Sequence, residues 1–244
     1  MVKGIDIFQE YFKDYTDQYV LIGGAACSVS FAEQDAVFRA TKDLDMVLIV
    51  EAQTRAFGER FWQFIRDGQY QNRARSTGDP QFYRFDKPAD PRYPKKIELF
   101  SRSTWVLEGD PVLTPVHIDD AVSSLSAILL NEAYYQALLS GRNVVSGLSV
   151  LRPEWVIPFK AKAWLDLRDK TDVDPSDIKK HRNDIIRIAS ELVLEPVDLP
   201  DEVRADMEVF IDAYDVTAAE LKSLKISGVT AEQIKTVLRE IYLH

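Results

Sequence analysis

The sequence predicts an α/β fold (α+β in the looser sense): a mixed sheet with helices in the first half and a purely helical second half. Three observations carry this. Short apolar runs, "YVLI" at 19–22 and "MVLIV" at 46–50, are bounded by glycines or polar residues, as strands are. The segments between such runs repeat apolar residues at helical spacing. From about residue 118 the strand-like runs give way to long periodic stretches with Ser, Asp or Thr near their starts.

Taken in order, Ile5, Phe8, Phe12 and Tyr15 predict a leading amphipathic helix over 5–18. "YVLI" is a strand closed by Gly23-Gly24, "AACSVSFAEQ" a helix, "DAVFRATK" a polar loop and "LDMVLIV" a second strand. "TRAFGERFWQFIRDG" sets Phe57, Phe61, Phe64 and Ile65 on one helical face. "QFYRFDK" and "KKIELFSR" are strand candidates joined by the Pro-rich "PADPRYP". "DDAVSSLSAILLNEAYYQALLSG" reads as one long helix closed by Gly141 and followed by a short segment, "SGLSVL". Four more helices follow over 153–170, 175–192, 200–214 and 230–244. The expected division is residues 1–117 for the α/β domain and 118–244 for the helical domain.

Composition narrows the function. A chain of 244 residues with 46% hydrophobic content can bury one large core or two modest ones. The first residues carry scattered charge and no apolar core segment, unlike a signal peptide, and no apolar stretch approaches the ~18 residues of a membrane span. A soluble, cytoplasmic protein with no membrane partner is expected. The single cysteine, Cys27, excludes an intrachain disulfide, and the three histidines are far apart in sequence, so no zinc-type cluster is expected. A net charge of −9 is the wrong sign for passive binding of long nucleic acid. The charge is uneven, however: Arg73, Arg75, Arg84, Lys87, Arg92, Lys95, Lys96 and Arg102 make the middle of the chain basic.

The chemistry-bearing pattern begins at Asp43-Leu44-Asp45. Alternate residues of a strand share a face, so the two aspartates project together while Leu44 and Met46 turn into packing. Adjacent carboxylates repel and are costly to desolvate, and a bridging divalent cation resolves both problems. Glu98, alone between Ile97 and Leu99, is the expected third carboxylate if its strand lies beside the first pair. Such an oxygen-rich site suits Mg²⁺, which shares its coordination with substrate phosphates. Gly23-Gly24 end a strand and open a helix, leaving backbone N–H groups positioned for phosphate. A double glycine or a D-x-D alone also fits an ordinary turn or a solvated strand end; their order along the chain is more informative.

Strand, double glycine, helix, D-x-D on a strand and a later lone acid resemble the nucleotidyltransferase superfamily that includes DNA polymerase β, on Gly23, Gly24, Asp43, Asp45 and Glu98. The longer gap and the run "RATKDLD" resemble the AbiEii/AbiGii toxin family, with its Arg-x-Thr/Ser-x-Asp-hydrophobic-Asp motif. A second match, to P-E-(apolar)-K-x-x-A-x(4)-R and a later basic-to-Asp segment, falls on Pro153, Glu154, Lys160, Ala163, Arg168, Lys180 and Asp184. Two positions depart from the pattern: Ala25 follows the glycines where many members carry Ser or Thr, leaving Ser28 to help grip phosphate, and His181 stands where the last motif usually has an acid.

The resemblance implies a nucleotidyltransferase-like first domain that moves a nucleoside monophosphate from an NTP to an acceptor hydroxyl. Asp43, Asp45 and Glu98 would hold Mg²⁺, with Glu98 also helping to deprotonate the acceptor. Gly23, Gly24, Ser28, Lys160 and Arg168 would meet phosphate, Arg39 and Thr41 would orient Asp43 or the nucleotide, and Asp184 would hold Lys160 or Arg168. It also implies the toxin of a bacterial toxin–antitoxin pair, acting on a tRNA end or a protein and opposed by an antitoxin protein. Two alternatives stay open: a small-molecule, antibiotic-type nucleotidyltransferase, and a non-catalytic nucleotide-binding or interaction module. For several of these residues the plain reading is structural: Lys160 as a solvated helix lysine, Arg39 and Thr41 as loop polars, Asp184 as a surface acid, and Phe57, Phe61, Trp62 and Phe64 as core.

Overall fold

A computed structural model describes residues 2–72, 83–102, 128–129, 131–171 and 173–244. The chain divides into two compact units, Met1–Asp119 with Arg142–Arg152, and Asp120–Gly141 with Pro153–His244. Each is described by itself.

The first unit is a mixed sheet with helices. Its elements are α1 (Ile5–Phe12), β1 (Tyr19–Ile22), α2 (Gly23–Glu33), β2 (Asp43–Leu48), α3 (Arg55–Asp67), β3 (Gln71–Asn72), β4 (Tyr83–Asp86), β5 (Lys96–Phe100), β6 (Arg142–Val145) and β7 (Leu148–Leu151). Among the described residues the sheet runs β3-β4-β5-β2-β1-β7-β6. The pairs β2–β5 and β1–β7 are parallel; the others are antiparallel.

Alternation sorts the central strands into two faces. Tyr19, Leu21, Leu44, Met46, Ile97 and Leu99 share one face and are fully buried. Aromatic rings of α1 and α3 cover it: Phe8 meets Tyr19 edge-on at 5.5 Å, and Phe61 meets Phe85 at 5.4 Å. Phe57, Phe61, Trp62 and Phe64 are therefore core, and fully burying each such ring contributes on the order of 1.5–3 kcal/mol. Thr54 caps α3 by accepting from Phe57 N at 3.3 Å.

The sequence leaves "SGLSVL" unassigned within the helical half, but the structure forms a hairpin there. Ser146 and Gly147 both have positive φ, as a two-residue turn between right-twisted strands requires. β7 then pairs with β1, so the first unit is discontinuous in sequence, whereas the sequence reading placed a single break near 118.

The second unit contains α4 (Glu132–Ser140), α5 (Pro153–Leu167), α6 (Pro175–Glu191), α7 (Asp201–Ala213), α8 (Ala218–Ser223) and α9 (Ala231–Tyr242). The long helix expected over 119–141 is interrupted. Asn131 has extended backbone and its side chain accepts from Ala133 N at 2.9 Å, so a new helix starts after it. The stretch 119–127 of that expectation lies outside the described residues. The short α8, not anticipated, is started by a reciprocal cap between Thr217 and Glu220.

Pro158 lies inside α5 and has no N–H to give the carbonyl of Glu154, one turn back. The Tyr242 hydroxyl donates to that carbonyl instead, which ties α9 to α5. No helix among the described residues is long and apolar enough to cross a membrane.

Candidate functional site

β2 and β5 run parallel in a register that makes Asp43 the partner of Lys96 and Asp45 the partner of Glu98. On the far side of β5, Arg84 of β4 is the partner of Glu98. Because neighbours in register share a face, Asp43, Asp45, Lys96, Glu98 and Arg84 all project from one side. The apolar residues between them, Leu44, Met46, Ile97 and Leu99, fill the other side, which pins the register, since a one-residue slip would bury the charges.

Glu98 is only 3% exposed. Its Oε1 accepts from Arg84 Nε at 2.8 Å and Nη2 at 2.6 Å, and its Oε2 lies 2.8 Å from Lys96 Nζ. Lys96 Nζ is also 3.1 Å from Asp43 Oδ2. Burial pulls the Lys96 ammonium downward in pKa, but the charges of Glu98 and Asp43 outweigh it and leave the group raised. Among the described residues, no three His, Cys, Asp or Glu side chains are grouped to hold a metal ion.

The glycine turn meets this cluster directly. A Cβ built on Gly23, whose φ is +60°, would stand 2.6 Å from Asp45 Oδ2. A Cβ on Gly24 would stand 2.7 Å from Thr41 Oγ1. A side chain at either position would have to push its neighbour aside, and at Gly23 the left-handed backbone favours glycine as well. The structure thus brings Gly23, Gly24, Thr41 and Asp45 together. Arg39, in the same loop, lays its guanidinium over the Phe38 ring at 5.1 Å. Ser28 is buried within α2.

In the second unit, Lys160 of α5 and Asp184 of α6 form an ion pair with Nζ–Oδ2 at 2.8 Å, the residues 7% and 2% exposed. Arg168 is not brought to this pair. It lies just past α5, exposed, on Asp169 at 3.3 Å and over the Trp164 ring at 5.2 Å. Lys162 takes Asp166 and Asp206.

The basic middle of the chain is largely matched where it is described. Arg84 and Lys96 serve Glu98, Arg92 pairs with Asp90 at 2.6 Å and Arg102 with Glu51 at 3.3 Å. Arg73 and Arg75 lie outside the described residues. Lys96 and Arg84 are the site residues that the sequence reading saw only as part of a basic stretch. Lys96 was within reach of the same alternation that picked out Glu98, being two residues before it, whereas Arg84 depends on strand pairing that no local pattern gives.

No family model matches the chain, and a search of curated proteins found no match. Among solved structures, the crystal structure of an antigenic nucleotidyltransferase-like protein from Paracoccidioides brasiliensis aligns over 93% of this chain and 92% of its own, at 16% identity and a TM-score of 0.45.

Proposed function

We propose that the chain is a Mg²⁺-dependent nucleotidyltransferase. The observation that carries this reading is the contact between the glycine turn and the acidic strand: Gly23 abuts Asp45 while Asp43 and Asp45 share one face of β2. A helix start whose N-cap residue makes no side-chain cap bond, set against paired carboxylates, is an arrangement for phosphate and a hard cation together.

Asp43 and Asp45 suit a divalent cation. They offer hard oxygens on one face, and the Asp43 side chain is 43% exposed, so water can complete an octahedral shell. A Mg²⁺ held by this pair would neutralise charge on a bound triphosphate. The chain's own part is positional: the N–H groups at the start of α2 orient the phosphates, and Thr41 against Gly24 fixes the loop that leads into Asp43. The acceptor oxygen bonds to the α-phosphorus, the α–β bridging oxygen leaves with pyrophosphate, and the acceptor proton passes to water.

The finer reading is a toxin that modifies a tRNA end or a protein and is opposed by a separately encoded antitoxin. The matching of Arg84, Arg92, Lys96 and Arg102 to carboxylates favours a protein or small-molecule acceptor over RNA. Incubating the purified chain with each α-labelled NTP, Mg²⁺, total RNA and total protein tests all of this. Label on protein or RNA supports transfer and identifies the acceptor, and label on an added aminoglycoside-type alcohol favours the small-molecule reading. NTP binding without any label transfer favours the non-catalytic module and contradicts the proposal.

A further inference from the structure

β6 forms one edge of the sheet, and its outer side carries main-chain groups that the sheet does not use. The two-residue turn at Ser146-Gly147 makes Val145 and Leu148 a hydrogen-bonded pair, so by alternation Asn143 and Val150 form the next one. The N–H and C=O groups of Arg142 and Val144 therefore point away from β7. Arg142, Asn143 and Val144 are all exposed, Val144 by 51%. Natural edges are blunted by proline, lysine, a bulge or a covering segment. β6 has no proline or lysine, its register with β7 runs without a bulge, and none of the described residues covers it. Nor is it loose: the Gln9 side chain donates to the Ser146 carbonyl, and Arg142 Nη1 donates to the Asp17 carbonyl at 3.1 Å.

We infer that this edge pairs with the same edge of a second copy of the chain, antiparallel and centred on Asn143. Such pairing is independent of the reaction proposed above. The register follows from the strand itself. Outward groups two residues apart match their own copies when Arg142 stands opposite Val144 of the second copy and Val144 opposite its Arg142, which makes four main-chain hydrogen bonds. A register with Val144 opposite Val144 sets Arg142 against Ser146, a turn residue whose carbonyl Gln9 already occupies. The side chains agree with the first register. The stem of Arg142 covers the exposed Val144 of the other copy, and the two arginines are never directly opposite. Asn143 meets Asn143, and an amide carries both donors and an acceptor, so it complements itself. This self-matching at all three positions favours a copy of the chain over an unrelated strand. Four residues bury little area, so the dimer belongs to the weak, transient class.

The test joins sedimentation velocity of the full chain, from about 10 to about 300 µM, with disulfide trapping. Wild type should shift from monomer toward dimer as concentration rises. Val144→Lys sets a lysine opposite Arg142 of the other copy and should weaken dimerisation at least about tenfold. In the paired register the two Asn143 Cα atoms stand about 4.5 Å apart, within disulfide reach. The two Val144 Cα atoms stand a diagonal apart, at about 7–8 Å, which is beyond it. Asn143→Cys should therefore cross-link to itself under mild oxidation at least about fivefold faster than Val144→Cys. Cys27, the chain's only native cysteine, is buried. A monomer at every concentration, equal cross-linking at the two positions, or dimerisation unmoved in Val144→Lys would overturn the inference. Should Val144→Lys lose its fold by circular dichroism, wild type and the two cysteine variants decide the matter alone.

Discussion

A Cβ at Gly23 would come within 2.6 Å of Asp45 Oδ2, in a backbone conformation with φ at +60°. The glycine and the aspartate therefore define each other's place. Gly23→Ala should cost about 1–2 kcal/mol from the left-handed backbone alone. It should also push the Asp45 carboxylate aside and lower label transfer more than the stability loss explains. Denaturant melts and initial rates on the same preparation separate the two effects.

Lys160 and Asp184 bury opposite charges against one another at 2.8 Å. Removing one partner takes the paired charge from the other, so Asp184→Ala should destabilise the chain by about 3–5 kcal/mol in urea unfolding. The double variant Lys160→Met with Asp184→Leu should be clearly more stable than Asp184→Ala, because it leaves no buried charge unpaired.

Tyr242→Phe deletes the hydroxyl that replaces the N–H missing at Pro158. The carbonyl of Glu154 then loses that donor, at a cost of about 1–3 kcal/mol measured by thermal or urea unfolding. Pro158→Ala in the Tyr242→Phe background should recover part of that loss by restoring the helix N–H.

Glu220 accepts from the Thr217 backbone N–H and from Arg182, and these hold its carboxyl below the usual glutamate value of 4.5. A folded-state pKa below the unfolded one contributes stability that is present above 4.5 and lost as pH falls through the folded value. The difference in melting temperature between wild type and Glu220→Gln should therefore narrow from about pH 6 to about pH 3.

Much of the site's wiring was legible because it rests on local rules. Strand alternation put Asp43 and Asp45 on one side, and the strand-to-helix turn singled out Gly23 and Gly24. The apolar neighbours of Glu98 marked it as pointing away from them. What sequence could not give was non-local. That β5 lies parallel to β2 with Asp45 beside Glu98 depends on a crossover between distant segments. That Arg84 and Lys96 hold Glu98 depends on that pairing in turn. The β6–β7 hairpin went unread because Arg142, Asn143 and Val144 are exposed and carry no alternation. Its Ser-Gly turn was the one available signal. Asn131 broke a helix whose apolar periodicity ran on past it, since a side-chain cap competes with the helix at a single residue.

The most direct test of the central claim compares wild type with Asp45→Asn in Mg²⁺-dependent transfer of label from an α-labelled NTP. The substitution keeps the shape of the side chain, removes its charge and replaces one acceptor oxygen with an NH2 donor. Wild type should transfer label in a reaction that a chelator abolishes, and a folded Asp45→Asn should transfer at least about a hundredfold less, since metal-centred charge stabilisation supplies several kcal/mol. Equal transfer by the two proteins, or transfer that persists in chelator, would contradict it.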